Sequence, residues 1–193
     1  MTIFLILAPY AAFALLMLVT SAAVSLFASA AICLLVIAFD VARGRSIKIL
    51  GAGSVIVFAG VGSYATLVEP GVSVSAVKLA VDIGIFLIAL TSILIRRPFT
   101  LQYAREAVDA GTAQLPAFIR ANYIITWAWT GSMLLMMIGN VATIYVPGLP
   151  LWSSLLIAFA ARNCAVYFTK WYPEYTKAKY ATPPAPANAL SGI

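Results

Sequence analysis

Six long apolar stretches, at about 3–19, 21–40, 48–68, 76–95, 122–146 and 150–170, take up most of this chain, with short connections between them. A bilayer core about 30 Å thick is crossed by roughly 20 helical residues rising about 1.5 Å each. A backbone in hydrocarbon must satisfy its own hydrogen bonds, which leaves helices or closed barrels. The alternating ten-residue strands of a barrel are absent from the sequence. The pattern therefore predicts an all-α, polytopic transmembrane helix bundle of six spans. Composition closes the alternative of a soluble globule. Of the 193 residues 63% are hydrophobic and 9% charged, against roughly 45–50% and about 25% in soluble domains.

Residues 3–40 must supply two spans and a turn, with only Thr20 and Ser21 between them. Pro9 interrupts the first of the pair, so the alternative is five full spans plus a re-entrant N-terminal helix. A cleaved signal peptide is disfavoured, because the first basic residue is Arg43 and such signals need a basic start. Residues 1–180 read as a single membrane domain. Residues 181–193, with Pro183, Pro184 and Pro186 among small side chains, read as a flexible tail.

Orientation follows from the cations. Arg43, Arg45 and Lys48 precede the third stretch; Arg96, Arg97, Arg105 and Arg120 lie between the fourth and fifth; Lys170, Lys177 and Lys179 end the sixth. These are ten of the twelve Lys and Arg residues, and the positive-inside rule makes their side cytoplasmic. The expectation is a multi-pass protein of a bacterial inner membrane with a cytoplasmic C-terminus. A net charge of +6 is then matched to anionic lipid, and nucleic acid is not an expected partner.

The residue inventory narrows the chemistry. There is no histidine and there are two cysteines, both in apolar runs. His-ligated metals and haem, Ser-His and Cys-His nucleophile pairs and glycine-rich phosphate loops are all missing. No cofactor, metal site or catalytic set is expected, and the chain reads as non-enzymatic.

Two constellations remain. Lys78 and Asp82, one helical turn apart, share a face of the fourth span. With Asn140 in the fifth span and Arg162 and Asn163 in the sixth, they form a candidate intramembrane polar network. Ionisable groups in lipid need a partner or water and commonly mark a transport path; polar glue between helices is the alternative role. The second is a small-residue stripe of Ser21, Ser25, Ser29 and Cys33 along the second span, with a weaker face of Gly51, Ser54, Phe58 and Gly62 on the third. Small residues let helices approach closely. Packing within the chain is the plainer reading and a homodimer seam the sharper one. Residues 99–110 predict a short amphipathic helix in the cytoplasmic interface, with Phe99, Tyr103 and Ala107 on one side.

The order of these features, with Arg96-Arg97-Pro98, Leu115-Pro116 and the series Trp129, Asn140 and Trp152, resembles the bacterial intracellular septation protein A family. The likeness would span about residues 3–180; richer Ser and Gly in spans two and three and the Pro-rich tail depart from it. It implies a non-enzymatic inner-membrane protein that contacts cell-envelope or division machinery through its helices. It transfers no binding residue. Small-solute or proton-coupled transport through Asp82 and Arg162 is the alternative function.

Overall fold

The computed structural model describes residues 2–146 and 148–180, and the chain there is helical. Its elements are α1 (Thr2–Val19), α2 (Ala22–Ala42), α3 (Ile49–Leu67), α4 (Val74–Leu94), α5 (Phe99–Arg105), α6 (Pro116–Tyr145) and α7 (Leu151–Tyr180), with a 3-10 turn at Thr112–Gln114. Four helices, α2, α3, α4 and α6, are long and apolar enough to cross a membrane. Helix α1 is continuous through Pro9, and its apolar part, Ile6–Val19, is shorter. Helix α7 is 30 residues long and carries Arg162 and Asn163 along it. The Pro-rich tail expected at 181–193 lies outside the described residues.

The helix ends follow local chemistry. Ser21 Oγ accepts the Val24 amide at 3.3 Å, and Ser73 Oγ accepts the Ala76 amide at 3.2 Å. These side chains satisfy donors that a first turn leaves open. Pro116 opens α6, at a position where its missing N–H costs nothing. Helices α2 and α4 close in the same way. The Arg45 amide reaches back to the Asp40 carbonyl and the Gly44 amide to Val41; the Arg97 amide reaches Ser92 and the Arg96 amide Ile93. This closure needs one left-handed residue. It is Gly44 at φ +72° in the first case and Arg96 at φ +58° in the second.

Packing runs from neighbour to neighbour: α1 on α2, α2 on α3, α3 on α4, α4 on α6 and α6 on α7. Between α3 and α4 the contact is close. A Cβ on Gly84 would stand 2.6 Å from Val57, and one on Gly53 would stand 2.7 Å from Ile88. The apolar core gathers Phe13, Leu26, Phe58, Val77, Val81 and Ala89. Outside it the bundle surface is apolar as well: Leu35, Ile56, Leu94 and Ile138 are all more than half exposed. Apolar exposure on this scale suits acyl chains, not water.

The predicted amphipathic helix differs in extent and placement. Its helical part is Phe99–Arg105, followed by the 3-10 turn. Phe99 and Leu101 are buried against the bundle. The Phe99 amide donates to Ser92 Oγ at 3.2 Å, and Thr100 Oγ1 donates to the Asn122 carbonyl at 2.9 Å. These bonds turn α5 under the helices, so it closes one end of the bundle. Beyond it Asp109 caps the 3-10 turn. The Thr112 hydroxyl and amide donate to its carboxylate at 2.6 and 2.9 Å and hold its pKa below the usual carboxylate range.

Candidate functional site

The chain of packed helices leaves α1 and α7 at its two ends without extensive contact to each other. Between them, backed by α4 and α6 and closed below by α5, is a cavity of about 970 Å³. This end, where α5 lies beside the loop of Arg43, Arg45 and Lys48, is called the basic end below. The walls are mainly apolar, from Ile6 and Phe13 on α1, Ile85 on α4, Met133 on α6 and Phe159 on α7. Leu18 and Phe159, which flank the gap between α1 and α7, are 73% and 69% exposed. The cavity therefore opens sideways along that gap.

The candidate polar network divides at this cavity. Lys78 and Asp82 of α4, Asn140 of α6 and Arg162 of α7 all line it. The Asn140 side-chain amide donates to the Asp82 carboxylate across the α4–α6 contact. Lys78 and Arg162 lie in the same electrostatic field as that carboxylate. Neither forms an ion pair within 4.0 Å; the four ion pairs among the described residues lie elsewhere. Asn163 is not part of the group. It is exposed and its amide donates to its own helix, to the Phe159 carbonyl at 2.7 Å. Adjacent helical residues point about 100° apart, so Arg162 and Asn163 do not share a face.

Further polar side chains fix the walls. Tyr10 of α1 shares a 2.5 Å hydrogen bond with Ser54 of α3. Trp129 Nε1 of α6 donates to Thr169 of α7 at 2.9 Å. Thr100 of α5 and Thr126 of α6 share a hydrogen bond of 2.6 Å. These ties run between helices, and in lipid such bonds contribute about 0.6 kcal/mol each on average.

The small-residue stripe lies inside the chain. Ser25, Ser29 and Cys33 are buried, while Ser21 is the exposed cap of α2. Ser25 and Ser29 donate to carbonyls one turn back, at 2.9 and 2.7 Å. On α3, Ser54, Phe58 and Gly62 are buried too. A Cβ on Gly62 would meet Phe27 at 3.2 Å.

One cluster has no counterpart among the predicted residues. Lys48 is 3% exposed, and its ammonium lies 2.7 Å from Asp40 and 3.0 Å from Glu106. Arg45 adds contacts of 3.3 Å to Asp40 and 3.8 Å to Glu106. Gln102 accepts the Ile49 amide at 2.9 Å, and Lys48 stands over the Tyr103 ring at 5.4 Å. The α2–α3 loop is thus clamped to α5. Tyr103 lines the cavity from below, and burial pushes its phenol well above the ordinary range. The available signal was Asp40 and Lys48 flanking one loop. Glu106 is brought to them only by the fold.

Comparison with models of known protein families, with curated proteins and with solved structures gives no match to this chain.

Proposed function

We propose that this chain is a non-enzymatic, six-span protein of a bacterial inner membrane that binds a small molecule in the cavity between α1 and α7 and moves it across the bilayer. In this reading α1 and α7 join the four long apolar helices as spans. Both termini lie on the cytoplasmic side, as the basic loops require. The observation that carries the reading is one cavity of about 970 Å³ reached by Asp82, Lys78 and Arg162 together. Binding sites are typically concave, mostly apolar and fitted with a few converging polar groups, at about 300–1,000 Å³. A role as polar glue alone does not call for an open space between the charges.

Contact with envelope or division machinery, the function implied by the septation-protein resemblance, is the second reading. The exposed apolar faces of α2 and α4, with Leu35 and Leu94, leave room for partner helices. The stripe of Ser25, Ser29 and Cys33 does not serve it, because α1 and α3 pack around α2.

The test is flux in proteoliposomes carrying an internal pH-sensitive dye. An imposed pH gradient should collapse faster with the wild-type chain than with Asp82→Asn, both recovered as monodisperse protein. Equal rates for the two, or a wild-type rate equal to that of empty liposomes, would overturn proton-coupled transport through Asp82.

A further inference from the structure

The cavity's charges gather in the part of it away from α5. Lys78 and Asp82 lie four and eight residues from the start of α4, about 6 and 12 Å along it. Arg162 lies eleven residues into α7, about 16 Å along. From there to α5 the lining is mainly apolar or aromatic, with Ile85, Phe99, Tyr103, Ile125, Trp129 and Met133, and its polar members Thr100, Asn122, Ser132 and Thr169 carry no charge. Two cations thus face one carboxylate, and that carboxylate is already engaged by Asn140. The remaining positive charge lies in one part of a long, mainly apolar slot. The slot opens sideways past Leu18 and Phe159, where bilayer components can enter.

We propose that this cavity takes a single-chain amphiphile with an anionic head, its head between Lys78 and Arg162 and its chain lying toward α5. This rests on the reading of the cavity as a binding site and names the class of molecule it binds. An inorganic or short anion would leave the apolar length unfilled. An amine of the same chain length would place a third cation beside Lys78 and Arg162. A neutral chain would leave two cations with the single carboxylate of Asp82 between them, in a medium where an unpaired ionisable group is costly. A molecule entering from the bilayer already has its chain in hydrocarbon, so selection rests on the head group and on the fit of the chain to the slot.

The test uses the full chain in nanodiscs, with Trp127, Trp152 and Trp171 replaced by Phe so that Trp129 reports from the cavity wall. Dibrominated octadecanoate, octadecylamine and octadecyl phosphate, with bromines at the same carbons, are titrated as quenchers. Saturable quenching by the carboxylate or the phosphate is expected, and whichever saturates lower identifies the preferred head. The amine should give only the shallow, unsaturating quenching of bilayer partition. Lys78→Gln should raise half-saturation at least tenfold. Arg162→Gln should do the same, while Arg162→Lys, which keeps the charge, should stay within about threefold. Lys78 is close to its helix start, so its variant keeps the test independent of any folding defect at Arg162. Equal, unsaturating quenching by all three probes would overturn the proposal, as would saturation unmoved by both charge-removing variants. The flux assay separates this from the reading beneath it. Asp82-dependent proton flux without saturable quenching would remove the amphiphile and leave the transporter. Saturable, charge-dependent quenching without flux would leave the amphiphile site and remove proton-coupled transport through Asp82.

Discussion

Replacing Lys48 by Met removes the cation at the centre of the clamp between the α2–α3 loop and α5. Its ammonium is 2.7 Å from Asp40 and 3.0 Å from Glu106, and its side chain is 3% exposed. The two carboxylates left behind are themselves only 13% and 21% exposed. Removing one partner of a buried ion pair costs about 3–5 kcal/mol, because the other charge stays buried and uncompensated. Arg45 remains within 3.3 and 3.8 Å of the same carboxylates and takes up part of their charge. The lower bound, about 3 kcal/mol, is therefore the expected loss. For a chain of this size each kcal/mol moves the unfolding midpoint about 2–4 °C, so the midpoint should drop by about 6–12 °C. The chain carries its own reporter. Cys33 is buried and Cys164 is exposed, so in a Cys164→Ser background a thiol-reactive dye reads unfolding through Cys33 alone. Adding Glu106→Gln to Lys48→Met should cost less than the two single losses combined, by about 0.5–3 kcal/mol, since the groups form one network. A Lys48→Met midpoint within about 2 °C of the parent, or strict additivity in the double variant, would refute the clamp as a stabilising element.

Three further outcomes follow from the packing and the charge pattern. Gly84→Leu places bulk where even a Cβ would stand 2.6 Å from Val57, and overpacking should lower stability by about 1–3 kcal/mol in the same dye assay; an unchanged midpoint would mean α3 and α4 are further apart. Arg96 holds a left-handed conformation that glycine adopts freely, so Arg96→Gly should raise the midpoint by a few degrees for a gain of about 1 kcal/mol, and a loss would show that the Arg96 side chain contributes more than its backbone strain removes. In a chain with Cys33 and Cys164 replaced by Ser, an impermeant thiol reagent outside intact cells should label Leu149→Cys and leave Ser46→Cys and Gln114→Cys untouched; labelling at 114 would invert the proposed orientation.

The helices were legible because lipid simplifies the problem. A long apolar run has few ways to satisfy its backbone other than as a helix, so the stretches at 21–40, 48–68 and 76–95 lie close to α2, α3 and α4. Ends set by side chains were less legible. Pro116 starts α6 six residues ahead of the apolar run, because a helix can begin in polar sequence where proline supplies the first turn. Helix α7 likewise continues past Lys170 to Tyr180. Helix α5 was visible as an amphipathic segment. Of the side expected in the membrane interface, Phe99 is buried against the bundle instead, while Ala107 is exposed. The bonds that decide this, from Ser92 to Phe99 and from Thr100 to Asn122, join residues with no mark in a hydropathy pattern.

The candidate site shows the same division between what spacing carries and what topology adds. Lys78 and Asp82 were placed on one face by a four-residue spacing, and both line the cavity. The amide that engages Asp82 comes from Asn140, 58 positions away, and Arg162 comes from α7, which packs mainly on α6 and not on α4. No periodicity encodes that meeting. What the sequence contains is an imbalance: two cations, Lys78 and Arg162, and one carboxylate, Asp82, in the candidate intramembrane network, against a basic end where Lys48 and Arg45 are matched by Asp40 and Glu106. At the basic end two cations meet two carboxylates, the groups are close, and the space between them is filled. At the cavity the cations exceed the carboxylate, no ion pair among the described residues closes within 4.0 Å, and the space stays open. A buried set of charges that balances itself can be closed by packing alone. One that does not balance needs water or a counter-charge from outside the chain, and the cavity between α1 and α7 has room for either.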